Sequence, residues 1–176
     1  GGQVIIAPAL KPWLALAAAG LLFGLLFAGW AVHFWFQLAL SILVLCAFAV
    51  YFEPELARRV RQPVAPRLVR DVVVGLASAV VLYGVFYLAN RCIVKLFPSG
   101  PTEVGHVYGW KTGTNATVIG ILLATVIGPG EELFWRGYLQ EQFERRFGLA
   151  GIGLGVLAYG GVHIVSCNLM LIGAAF

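Results

Sequence analysis

Charge is scarce in this chain. Of its 176 residues only 11% are Asp, Glu, Lys or Arg, against about 25% in an ordinary soluble domain, so a soluble globular domain is the wrong frame. Cysteine is equally sparse: Cys46, Cys92 and Cys167 form no CxxC and no paired spacing, which excludes a disulfide framework and a thiolate zinc site. No HExxH occurs. The net charge of +4 is small and dispersed, so no nucleic-acid partner is expected, and the basic residues read instead as topology signals. What is abundant is apolar: 60% of residues, with a mean hydropathy of +0.89. That composition reads as a polytopic membrane protein, an all-α transmembrane helix bundle whose first partner is the lipid bilayer.

Apolar runs place spans at residues 13–29, 34–52, 72–89, 115–147 and 150–166, with a sixth beginning at 168. Spans of about 20 residues suit a hydrocarbon core about 30 Å thick. The expectation is therefore a single membrane domain over 1–176, with five full spans and the start of another. No Met precedes Gly1-Gly2, which read as a tag remnant or trimmed terminus, and the first apolar run is taken as a retained span rather than a cleaved leader. Residues 30–33 form the first turn, 53–70 a polar loop with prolines, and 90–113 a longer loop. Asp71 is expected to open the third helix, where its carboxylate meets the positive helix end.

Arg58, Arg59, Arg61, Arg67 and Arg70 share one loop, and counting spans puts Lys11, Arg145 and Arg146 on the same side; Arg91, Lys95 and Lys111 fall opposite. This asymmetry predicts a cytoplasmic N-terminus. Trp13, Trp30 and Trp35 sit near span ends, as interfacial anchors do. Gly20-x-x-x-Gly24 and Gly151-x-x-x-Gly155 permit close helix approach. His33 and His106 fall in turns or loops and are expected to be solvated. Asn168 reads as a helix start or a helix–helix hydrogen-bonding residue.

Against this background, Glu131, Glu132 and Arg136 stand out. Each charge at bilayer depth costs about 2.5–3.5 kcal/mol on insertion scales, so three within six residues need partners and a purpose. Glu132 and Arg136 are four apart with the acid first, the favourable order for a pair along one helix face. Glu131 is rotated by about 100° from Glu132, so it is free for another task. A desolvated carboxylate holds a proton more tightly, which suits a general base near neutral pH. Gly128-Pro-Gly130 just upstream is expected to kink the helix. On the next span His163 closes Tyr159-Gly-Gly-Val-His163, and an imidazole converging with a carboxylate on water makes a hydrolytic site.

The segment Gly130-Glu-Glu-Leu-Phe-Trp-Arg-Gly-Tyr-Leu-Gln140 resembles the EExxxR motif of the CPBP intramembrane proteases, the group of prenyl-protein (CAAX) endopeptidases and related bacteriocin-processing and immunity proteins. Tyr159-Gly-Gly-Val-His163 resembles their second motif, FxxxH, with tyrosine for phenylalanine. The resemblance spans residues 115–176. It implies an intramembrane endopeptidase in which Glu131 activates water, His163 holds that water or stabilises the oxyanion, and Glu132 and Arg136 organise the site. Its substrate would be a peptide or prenylated protein, and its location a bacterial plasma membrane. Family members are called metalloproteases; a divalent metal such as zinc, if bound, would take Glu131 and His163 as ligands. The family's third motif, a His with Asn or Asp four residues later, is not reached by Phe176, so a longer parent protein is expected.

Two other functions fit parts of the pattern. A proton-coupled transporter would also bury Glu, His and Arg, but the chain shows one broken helix and no repeat, where transporters show both in pairs. A non-catalytic immunity or scaffold homologue would keep the fold without the chemistry.

Overall fold

The computed structural model describes residues 7–30, 33–61, 68–96, 102, 105, 106, 109 and 113–175, and among these there is no strand. Helix α1 (Lys11–Leu25) follows a 3-10 turn at Pro8–Leu10, carries Pro12 in its first turn, and ends through a π-turn in which Gly29 adopts φ 81°. Helix α2 is Phe34–Phe52 and α3 Pro54–Val60. Helix α4 is Leu68–Leu96, and α5 runs from Ala116 to Phe147. Helix α6 (Leu149–His163) leads through a 3-10 turn into α7 (Leu169–Ala175). Five segments are long and apolar enough to cross a membrane: Pro8–Gly29, Phe34–Phe52, Leu68–Ala89, Ala116–Phe147 and Leu149–Ser166. The all-α, multi-pass membrane reading holds, with boundaries close to those expected.

Three expectations are corrected. The third helix opens at Leu68 rather than Asp71, which lies within its first turn. It also continues through Leu96 into the expected loop, because residues 90–96 contain neither Gly nor Pro, and the stop comes only before Pro98. The polar loop after α2 holds a helix, α3, nucleated by Pro54 in the first position, where a missing N–H costs nothing. The turn at 31–32, the loop at 62–67, most of 97–112 and Phe176 lie outside the described residues, as do the side chains of Trp30 and Lys95.

The core lies among α1, α2, α5 and α6. Ala15, Ala19 and Phe23 of α1 face Ile42, Leu45 and Ala49 of α2, and Phe134, Trp135, Tyr138 and Phe143 of α5 fill the centre. Helix α4 contributes no buried residue over its span; Val73, Val80, Leu82 and Phe86 all face outward, as a helix bathed in lipid would present them. Close packing falls on one glycine pair and not the other. A Cβ on Gly151 would overlap the Phe143 backbone, and one on Gly155 would come within 3.0 Å of Gln140, whereas nothing lies within 4 Å of Gly20 or Gly24. The first small-residue pattern is thus no helix contact; residues that match it recur by chance in apolar helices.

One end of the bundle is tied by charge. Lys11 Nζ donates to the Phe52 carbonyl (3.2 Å), and Arg146 donates to the Ala9 carbonyl (3.0 Å). Arg59 of α3 meets Glu141 of α5 at 2.7 Å, and Glu141 also pairs with Arg145 at 2.6 Å. Gln142 closes the belt by donating to Glu53 at 2.9 Å.

Candidate active site

The acidic motif sits where α5 leaves regular geometry. Pro129 does not break the helix; the chain passes through a π-turn at Leu123–Ile127, and the Gly128 N–H donates back to the Leu123 carbonyl, five residues earlier. Only glycine suits position 128, since a Cβ there would approach the Leu123 oxygen to 2.8 Å. A second π-segment spans Glu132–Gln140. Such bulges inside α-helices often mark functional sites, because they turn side chains out of the regular register. Gly130 lets α5 approach α2: a Cβ on it would run into the Ile42 side chain, and Cys46 Sγ donates to its carbonyl at 3.4 Å.

The two glutamates face different surroundings, as their rotation about the helix predicts. Glu132 Oε1 lies 3.6 Å from Arg136 Nη1, with the Glu132 side chain 67% exposed. Glu131 is half-buried, within electrostatic reach of Arg136 and Glu132, and makes no hydrogen bond with a described residue. The guanidinium of Arg136 lies over the Tyr159 ring, 4.7 Å from its centroid.

His163 is buried at the end of α6. Its Nδ1 is 2.8 Å from the Tyr159 carbonyl. A carbonyl only accepts, so in the neutral ring the proton sits on Nδ1 and Nε2 presents a lone pair. The ring packs edge-on to Tyr159 (5.0 Å) and Phe23 (5.5 Å) and tilts against Phe27 (6.0 Å). Tyr159 also meets Trp135 at 5.3 Å. It therefore joins the imidazole on α6 to the arginine and tryptophan on α5.

The structure brings Glu132, Arg136, Tyr159 and His163 into one chain of contacts. Glu131 and His163 make no direct hydrogen bond or ion pair with each other. The sequence reading passed over Tyr159 as a linking residue, along with Trp135 and Gln140. The available signal was spacing, since Tyr159 and His163 are four apart on a helix and must share a face. Asn168 caps α7, its Oδ1 accepting from the Leu171 N–H at 2.9 Å, the helix-start role expected of it. His33 and His106 are exposed.

A zinc site needs at least three protein ligands. Among the described residues no three His, Cys, Asp or Glu side chains gather to hold an ion. Glu131 and His163 supply two donors at most, so these residues do not by themselves fit a metal, and no step below passes through one.

Two cavities lie nearby. One, of about 110 Å³, is lined by Trp135, Arg136, Gln140, Gly155, Val156, Tyr159 and Ala175. The other, of about 440 Å³, opens between α1 and α2 against Leu22, Leu25, His33, Phe36, Gln37 and Ser41 among others. It touches neither motif.

No curated protein and no solved structure matches the chain. The match found supports a CAAX-type intramembrane protease in general outline. Residues 113–176, which hold both motifs, match the family model described as type II CAAX prenyl endopeptidase Rce1-like, and over that segment the family resemblance of the motifs is borne out.

Proposed function

We propose that this chain carries the water-activating half of an intramembrane endopeptidase acting on a prenylated or peptide C-terminus. The observation that supports it is the division of labour between the adjacent acids: Glu132 answers the charge of Arg136, while half-buried Glu131 has no hydrogen-bond partner. In this reading Glu131 takes a proton from water as the hydroxyl attacks the scissile carbonyl, then returns it to the departing amine. His163, with Nδ1 committed to the Tyr159 carbonyl, accepts from the same water through Nε2. Glu132 and Arg136 hold the α5 segment in place, and Arg136 fixes Tyr159 and through it the imidazole.

The proposed orientation has the N-terminus in the cytoplasm. Lys11, Arg59, Arg145 and Arg146 gather at one end of the bundle, the end that the positive-inside rule assigns to the cytoplasm. Substrate would then enter laterally or from that face.

The test is Glu131→Gln in the full-length protein, reconstituted with prenylated peptides. Cleavage should fall by about 10²–10⁴-fold, the usual contribution of a general base. Unchanged cleavage removes Glu131 from catalysis. Proton-coupled solute flux without proteolysis would point to a transporter instead.

A further inference from the structure

The small cavity between α5 and α6 has a one-sided polar lining. Arg136 offers five N–H donors and no acceptor, Trp135 one indole N–H, and Gln140 an amide. Trp135 is only 2% exposed, and its Nε1 has no hydrogen-bond partner among the described residues. Buried donors are nearly always paired, so this one calls for an acceptor that the described residues do not supply. Arg136 is not spent either. Its distance of 3.6 Å to Glu132 exceeds the roughly 2.7–2.9 Å of a direct charge-assisted bond. Gly155 keeps the wall open, since a Cβ there would press on Gln140 at 3.0 Å. A volume of about 110 Å³ is well above the roughly 10–15 Å³ that a single water requires.

We infer that this cavity receives the free C-terminal carboxylate of the substrate peptide and thereby measures how many residues are cut off. The inference rests on the endopeptidase reading above and adds a specificity site to it. The spacing suits the role. Arg136 and Gln140 lie five and nine residues beyond Glu131, about 7.5 and 13.5 Å along a helix rising about 1.5 Å per residue. An extended peptide covers about 3.3–3.6 Å per residue, so three residues reach about 10–11 Å, between those two positions. In a CAAX terminus three residues follow the prenylated cysteine. Anchoring the last carboxylate here sets the bond after that cysteine beside Glu131. A carboxylate is also the ligand such a lining favours: a planar acceptor for the guanidinium fork, with a lone pair left for the indole N–H.

The full-length protein, in micelles without anionic lipid, is titrated with two prenylated peptides differing only at the C-terminus, one a free acid and one a carboxamide; binding and cleavage are both read. The acid should bind about 10- to 100-fold tighter, the range of a hydrogen bond to a charged group. Trp135→Phe, which keeps a ring and loses the N–H, should narrow that ratio. Gln140→Glu, which adds a competing carboxylate, should erase or invert it. Equal affinity for acid and amide overturns the inference whatever the cleavage result, and so does an acid preference that neither substitution changes. Acid preference sensitive to both substitutions, but without cleavage of either peptide, upholds the carboxylate site and removes the endopeptidase reading.

Discussion

Arg136 rests on Tyr159, its guanidinium carbon 4.7 Å from the ring centroid, so the charge of the first motif is seated on the aromatic residue of the second. A cation over an aromatic face is worth about 0.5–1 kcal/mol when exposed and about 2 when desolvated. Arg136→Lys keeps the charge and loses the planar stack. It should destabilise the bundle by about 1 kcal/mol. A double-mutant cycle with Tyr159→Leu in detergent should return a coupling of about 0.5–2 kcal/mol; zero coupling would mean the stack contributes nothing.

The glycine pairs make a sharper contrast. Gly151→Ala sets a Cβ into the Phe143 backbone, where no flexible side chain can yield, so it should cost at least about 1–3 kcal/mol. Gly20→Ala and Gly24→Ala meet open space and should be neutral or stabilise α1 by up to about 1 kcal/mol. Thermal unfolding of the three variants checks both halves.

At Gly130 the obstacle is a side chain. Gly130→Ala meets the Ile42 methyl, and Ile42 is fully buried. Each of Gly130→Ala and Ile42→Ala should be destabilising alone, the latter by about 2–5 kcal/mol. The double variant should be more stable than the sum of the two by at least about 1 kcal/mol, because the new methyl occupies part of the vacated space. Strict additivity would show that the two helices separate rather than clash.

The charged belt should matter less than its geometry suggests. Arg59→Ala breaks a 2.7 Å pair with Glu141, but Arg59 is 42% exposed, so the loss should stay within about 1 kcal/mol and shrink further in high salt. A larger, salt-independent loss would place α3 deeper in the bundle's packing.

Much of this arrangement could be read before any coordinates. Long apolar runs fixed five spans because backbone in lipid must satisfy its own hydrogen bonds, and that rule overrides fine propensity. Glu132 and Arg136 paired as spacing required, and Glu131 turned away as rotation required. What stayed hidden depended on register and on neighbours. Gly128-Pro-Gly130 suggested a kink, yet the helix absorbed the missing N–H of Pro129 through a π-turn, a choice set by packing against Ile42 and Cys46 rather than by local sequence. Tyr159 looked like a motif variant; its bridging of Arg136 and His163 depends on how α5 and α6 cross. Gly20 and Gly24 promised contact and found none, since nothing in a small-residue spacing says which neighbour will come.

Each π-turn in α5 amounts to one residue more than a regular helix would need over the same rise. Removing a single residue from Leu123–Ile127 would let the stretch relax into ordinary α-geometry, swinging everything downstream by about 100°. Glu131 would then point where another side chain now does, with every hydrophobic position still filled. For this helix the harmful lesion is a one-codon deletion at an unremarkable valine or alanine, a change that leaves both motifs intact to the eye while moving the carboxylate off its mark.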